Sequence, residues 1–482
     1  MAAPDRPDPP PARDELSAGI SRRDAIGRGS AAAALLALRP LALGAVGREA
    51  VGARRAGPGT AAEYRDAALA AERWIARSAI RARGGLTWPA DPSDPASVQD
   101  NLYSGSPGVV LFYLELARAT GDRRWLGPAR DGARYLAAGL PAASALGDEG
   151  HGLYTGIAGV AYVLELVQAA TGDAAVAAGR DRAVSLLRET LAPVGAGAAW
   201  NGSADIIAGS SGIALTIGWL DRRGRAWPGW RADAVRVGDR LLEVGIPKAG
   251  GLTWAIASGE PRRYPNFSHG AAGVSYTLAT LARETGERRF LEGALAGERY
   301  LRAVATRTAG DGLRVFHSEP GGEDLFYLSW CHGPAGTARL YHRLAEVTAD
   351  AAWRGTIPQL AQAIVDGGVP EVHPDRSGFW NNVSQCCGSC GIAEFFVARH
   401  AATGAAADLA FAQRVMDDVL ARGTADGDGR KWIQAEHRMR PDLLVAQTGL
   451  MQGAAGVGLA LLHLEGAMTG RVPAVMLPDT PW

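Results

Sequence analysis

A short glycine phrase, G-x-x-G, returns seven times along this chain at nearly even spacing, and no other feature restricts the fold as much. The copies read "YSGSPG", "YTGIAG", "IAGSSG", "SHGAAG", "CHGPAG", "CCGSCG" and "MQGAAG". Their first glycines are Gly105, Gly156, Gly209, Gly270, Gly333, Gly388 and Gly453, at intervals of 51, 53, 61, 63, 55 and 65 residues. A period of this length means one supersecondary unit stacked on copies of itself, in an open solenoid or a ring.

A second marker keeps step with the first. Sixteen residues after the anchor come Gly121, Gly172, Gly286 and Gly404, with Ala349 at the same offset in the fifth copy and Gly224 and Gly470 one residue away in the third and seventh. The segments between anchor and turn, such as "VVLFYLELARA" and "VSYTLATLARE", are apolar and rich in helix formers, and a glycine at their end suits a helix C-terminus. Each predicts a helix of about sixteen residues, roughly 24 Å long. A second helix with a more polar face follows, as in "ERRFLEGALAGERYLRAVA", and then a long loop to the next anchor. Several of these loops carry a tryptophan: Trp88, Trp200, Trp254, Trp380 and Trp432. The expected fold is all-α, an α/α toroid of seven helical hairpins over residues 61–482 with the Ala/Gly/Leu-rich helices inside.

Residues 1–60 differ from the rest. "MAAPDRPDPPPARDELSAGI" is Pro-rich and charged, the composition of an extension without a core. Arg22 and Arg23 then precede a short apolar run, the pattern of a twin-arginine export signal, which Arg39 and Pro40 interrupt before it reaches membrane-spanning length. The expected location is the cytoplasm, or outside it if that signal acts. No later segment reads as transmembrane. Fifty basic and fifty acidic residues leave no whole-chain field to favour nucleic acid or an anionic membrane.

Chemistry gathers beside the anchors. The chain has four cysteines, too few for a disulfide scaffold at 482 residues. Cys386 and Cys387 are adjacent, which suits disulfide geometry poorly. In a ring whose inner helices all run one way, every inner N-terminus lies at one rim, so residues one or two positions before the anchors converge. Those positions hold His269, then Cys331 and His332, then Cys386 and Cys387. Three thiolates from adjacent copies can share one ion. Zinc suits such soft ligands, and helix N-termini favour ionised thiols. Cys390, two residues past its anchor, reads as a small core residue. Two alternatives stay open: all four cysteines are packing residues, or His332 is a fourth ligand that closes the site and makes it structural. Asp205, four residues before Gly209, stands at the same rim, where an aspartate also serves as a helix N-cap.

Through "DIIAGSSG", "SHGAAG", "SWCHGPAG" and "QCCGSCG" the chain resembles the LanC family of lanthionine synthetases, over roughly residues 61–482. The resemblance implies an α/α toroid with one catalytic zinc. Cys331 matches the family's "WC-x-G" cysteine, and Cys386 with Cys387 matches its Cys-His pair, with cysteine in place of histidine. Three-cysteine sites resemble those of cyclase domains fused to larger lanthipeptide synthetases. The implied reaction is a Michael addition, in which a peptide cysteine thiolate attacks the β-carbon of dehydroalanine or dehydrobutyrine and the enolate is then protonated. By motif match His269 is the acid, and Asp205 deprotonates the thiol or orients its partner. The implied partner is a dehydrated precursor peptide, supplied by a separate dehydratase. An arginine that some members carry before the "WC" phrase is missing from "FYLSWC". Two other readings compete: a relative that binds or conjugates glutathione or another thiol, and a glycoside hydrolase on the same kind of toroid, with loop tryptophans stacked on sugar.

Overall fold

The computed structural model describes residues 57–257, 259–371, 382–437 and 440–482. Arg22, Arg23, Arg39, Pro40 and Trp380 lie outside them. Seven inner helices begin immediately after the seven anchor glycines: α2 (Ser106–Thr120), α4 (Ile157–Thr171), α6 (Ser210–Asp221), α8 (Ala271–Thr285), α10 (Pro334–Thr348), α12 (Ser389–Thr403) and α14 (Ala454–Thr469). The outer helices are α1 (Ala61–Ala76), α3 (Leu126–Ala138), α5 (Ala174–Thr190), α7 (Trp230–Glu243), α9 (Arg288–Val304), α11 (Thr356–Asp366) and α13 (Ala406–Ala421).

Composition sorts the two sets. In α14 every residue from Ala454 to Gly466 is buried, as expected of a helix apolar on all sides. In α9 only one stripe, including Phe290, Gly293, Ala294, Gly297, Tyr300 and Leu301, is buried, while Arg288 and Glu292 pair in solvent. Each inner helix packs on the next, and α14 packs back on α2, so the ring is closed.

One feature of the closure departs from the repeat pattern. The sequence makes each copy a helix pair, but the helix that covers α14 is α1, from the other end of the described chain. Its start is fixed by a capping box, with Thr60 Oγ1 accepting from the Glu63 N–H (3.3 Å) and Glu63 accepting from the Thr60 N–H (2.8 Å). Tyr64 donates to Asp417 of α13 (2.7 Å), and Arg77 pairs with Asp428 (2.8 Å), which ties α1 to the sixth copy.

The long loops hold short antiparallel hairpins that an all-helical reading passes over: β1 (Ile80–Ala82) with β2 (Gly85–Thr87), β3 (Ala192–Val194) with β4 (Gly197–Ala199), β5 (Ile246–Lys248) with β6 (Gly251–Thr253), β7 (Thr306–Arg307) with β8 (Leu313–Arg314), β9 (Thr424–Asp426) with β10 (Gly429–Lys431), and β11 (Gln434–His437) with β12 (Arg440–Val445). A tryptophan directly follows β2, β4, β6 and β10. Trp200, Trp254 and Trp432 donate from Nε1 to the carbonyls of Leu187, Leu241 and Val419 in the outer helices, at 2.7–2.8 Å. These three indoles and Trp88 are buried, so they lock hairpins onto helices and offer no face to a sugar.

The turns after the inner helices fall where the sequence placed them, with Gly121, Gly172, Gly286, Gly404 and Gly470 in the left-handed region. Ala349 sits there too, at φ 56°, where a β-carbon crowds the following carbonyl. Ala349→Gly is expected to stabilise the fold by about 0.5–1 kcal/mol, the relief being partly offset by the greater freedom of glycine in the unfolded chain. A rise in the denaturant midpoint at constant slope is the result to look for; an unchanged or lower midpoint would show that no strain is held there.

Backbone hydrogen bonds join the loops before the seven inner helices into a closed circle. Tyr103 N–H donates to Tyr154 (2.9 Å), Tyr154 to Ile207 (2.9 Å), Ile206 to Ser268 (3.0 Å), Ser268 to Cys331 (2.9 Å), Cys331 to Cys386 (3.1 Å), Cys386 to Met451 (3.1 Å), and Met451 back to Tyr103 (2.8 Å). The anchor glycines permit this close approach. A β-carbon on Gly270 would overlap the carbonyl oxygen of Tyr264.

Candidate metal centre

The circle makes Cys331 and Cys386 direct neighbours, because the N–H of one donates to the carbonyl of the other. Cys387 Sγ lies 3.3 Å from the sulfurs of both Cys331 and Cys386, and the three sulfurs fall within 4.8 Å of one another. All are free thiols. Zinc–sulfur bonds of about 2.3 Å in a tetrahedron set sulfurs about 3.8 Å apart, close to the spacing here. Cys331 and Cys386 are buried and Cys387 is half-buried.

Charge shows what a cation would do for such a cluster. Burial pushes the Cys331 thiol well above its ordinary range, and its sulfur neighbours push it further. Hydrogen bonds from the Cys331 and Cys387 thiols hold Cys386 well below that range. Protons alone therefore let the trio carry its charge chiefly on Cys386, whereas a shared divalent ion lets all three ionise. The donor set fits a soft metal. Cys390 is fully buried in α12 and outside the trio, as a packing residue should be.

Among the described residues the group that could hold a metal is Cys331, Cys386 and Cys387, and His332 is not part of it. The His332 ring instead stacks 5.6 Å from His269 and lies 4.4 Å from His317 and 5.0 Å from Tyr264. Its buried Nδ1 finds no hydrogen-bond partner among the described residues, and burial holds its pKa well below the ordinary histidine value.

Asp205 performs both tasks that its position allows. Oδ1 accepts from the N–H groups of Ala208 (2.9 Å) and Gly209 (2.7 Å), which shapes the loop before α6, and Oδ2 lies 2.5 Å from His269 Nδ1. With Nδ1 held by a carboxylate, Nε2 is the imidazole nitrogen left for chemistry. Asp205 is 3% exposed, with Oδ1 taken by the two N–H groups and Oδ2 facing the imidazole.

The structure adds residues that the sequence reading missed. Tyr103 sits two positions before Gly105, the same place as Cys331 and Cys386 in their copies, and its phenol hydrogen-bonds Cys386 and accepts from Gln452 (3.1 Å). The offset that singled out the cysteines also points to Tyr103. His317 and Tyr327 line the wall beside His332 from the long loop after β8, where no repeat offset marks them.

The sequence matches the family model for lanthionine synthetase C-like protein over residues 96–477. In structure the chain is similar to nisin cyclase, with a TM-score of 0.56 at 14% identity over 85% of this chain and 99% of that one. It is also similar to the Lin0763 protein from Listeria innocua (TM-score 0.45, 12% identity, 84% of this chain and 97% of that one). A further likeness is to unsaturated glucuronyl hydrolase from Bacillus sp. GL1 (TM-score 0.43, 15% identity, 66% of this chain and 86% of that one). No curated protein sequence matches significantly. No helix among the described residues is long and apolar enough to cross a membrane.

Proposed function

The chain belongs to the lanthionine synthetase C-like family, and from that premise we propose that it is a zinc-dependent lanthipeptide cyclase acting on peptides dehydrated by a separate dehydratase. The observation that carries the reading is the placing of three clustered thiols and an Asp205–His269 pair on one rim of the toroid. Cys331, Cys386 and Cys387 would hold a zinc ion, and when bound it would supply the chemistry of lowering a substrate thiol's pKa.

In the reaction the substrate thiol gives its proton to water, its sulfur bonds to the β-carbon of a dehydroalanine or dehydrobutyrine, and the displaced π pair is taken up as an enolate. Protonation of the enolate through His269, recharged from water, completes the net addition of S–H across the double bond. His269 supplies a proton to the α-carbon from Nε2, while Asp205 holds the ring through Nδ1. No group leaves. The phenol of Tyr103, two steps from Cys386 on the backbone circle, steadies the charge on Cys386.

Cyclisation leaves the peptide mass unchanged, so it is read by the loss of alkylatable thiols in a synthetic dehydrated peptide. His269→Ala is expected to slow that loss by about 10²–10⁴-fold with zinc content unchanged. Asp205→Asn should slow it by about 10–100-fold, the usual cost of losing an orienting partner. Full activity in the His269 variant removes the proposed acid. Conjugation of free glutathione without cyclisation would move the chain to the thiol-conjugating reading.

A further inference from the structure

Beyond α14 the chain turns back into the ring. Gly470, at φ 75°, reverses its direction, and the following segment is bonded first to α2, then to α4, then to side chains of the loops before α4 and α10 and of α10 itself. Glu115 of α2 accepts from the N–H groups of Ala474 (2.7 Å) and Val475 (3.0 Å), and Tyr162 of α4 donates to the Met476 carbonyl (2.9 Å). The segment carries Asp479, whose exposure is 0%. Its Oδ2 accepts from Arg339 Nη1 (2.8 Å), from the Tyr154 phenol (3.2 Å) and from Trp330 Nε1 (3.3 Å). Arg339 also donates to the Asp479 carbonyl (3.0 Å).

The donors come from distant parts of the rim. Tyr154 and Cys331 are three steps apart on the backbone circle, and Trp330 immediately precedes Cys331. One carboxylate oxygen therefore accepts from two side chains whose loops are three steps apart on the circle. Packing and hydrogen bonding both act on the indole. It touches the rings of Tyr154 (5.0 Å) and Phe267 (6.0 Å), but a cavity of about 730 Å³ borders it. The bond to Asp479 adds a polar constraint on the side of the indole that faces the segment.

We propose that Asp479 is a positioning residue for Cys331, holding Trp330 through its indole N–H so that the Cys331 sulfur stays against Cys387. The proposal rests on reading the three thiols as a metal site, and its test separates the two. In reduced, metal-free protein, alkylation is followed thiol by thiol by mass spectrometry, for wild type, Asp479→Asn, Trp330→Phe and Tyr162→Phe. The last variant loosens the same segment without touching the rim. Asp479→Asn and Trp330→Phe should expose Cys331 at least about ten-fold faster than wild type, as local opening does, with Tyr162→Phe unchanged. Loaded with cobalt(II), the first two should also show altered ligand-field bands. Labelling of Cys331 within about two-fold of wild type in both variants overturns the positioning role. So does equal acceleration in Tyr162→Phe, which would make the effect one of segment anchoring. Should Asp479→Asn leave Arg339 unpaired and fail to fold, Trp330→Phe alone decides. A wild type without thiolate-to-cobalt charge transfer overturns the metal reading instead, and the labelling rates still decide the role of Asp479.

Discussion

Alanine in place of Cys331 or Cys386 is expected to lower zinc from about one ion per chain to a small fraction of that, and to abolish cyclisation. Structural zinc sites bind with apparent free energies of about 10–16 kcal/mol, so each of three thiolates accounts for a few kcal/mol and its loss weakens binding by at least about 10²-fold. The variants should still fold. The circle of hydrogen bonds uses the backbone of Cys331 and Cys386, not their sulfurs, and the cysteine side chains are small. Thermal midpoints near that of the metal-free wild type would confirm this. Cys387→His is the informative contrast, because it restores the histidine usual in the resembled family at a half-buried position. It should retain stoichiometric zinc with altered cyclisation rates, since imidazole donates less charge than thiolate. Full zinc in Cys331→Ala or Cys386→Ala would exclude the thiol trio as the metal site.

The sequence discloses the ring and the trio for the same reason. A glycine that must let one loop lie against another cannot be replaced without overlap, as at Gly270, so the anchors recur and give the reader a register. Counting back from that register places Cys331 beside Cys386. What stays hidden has no repeating steric demand. The hairpins are strands of two to six residues, and two of their turns place Arg83 and Ala249 at positive φ, where no glycine marks the position. Closure of the last copy by α1 is invisible because the pairing runs between opposite ends of the described chain. His317 and Asp479 lie on loops whose paths follow from side-chain partners, and one sequence does not display those partners.

Where the ring closes, the structure relies on charge, and the largest stability effect is expected there. His463 of α14 lies between carboxylates of the inner helices on either side. Its Nδ1 is 2.9 Å from both oxygens of Glu394 in α12, and its Nε2 stands 3.7 Å, an ion-pair distance, from Glu115 in α2. Arg471 adds a second bond to Glu115 (2.6 Å) and one to Glu465 (2.8 Å). Burial alone would lower the histidine, but Glu394 and Glu115 raise it to about 10. Burial alone would raise Glu115, but His463 and Arg471 bring it down to about 2. His463→Leu removes the shared cation and leaves Glu394 half-satisfied inside the ring, a loss of about 3–5 kcal/mol.

The pH dependence identifies the cause. A raised histidine pKa gives stability that is complete below the unfolded value near 6.5 and disappears as pH climbs through about 10. Wild-type protein should lose up to about 1.4 kcal/mol per pH unit across that window, and His463→Leu should lack that share of the slope. On the acid side the Glu115 contribution is complete above about 4.5 and vanishes as pH falls through about 2. The two shifts share one interaction, so they do not add. Denaturant unfolding of both proteins at intervals from pH 6 to 10 reads the difference directly. Parallel curves would mean that His463 is buried uncharged and that packing and the Arg471 ion pairs hold α14 between its neighbours.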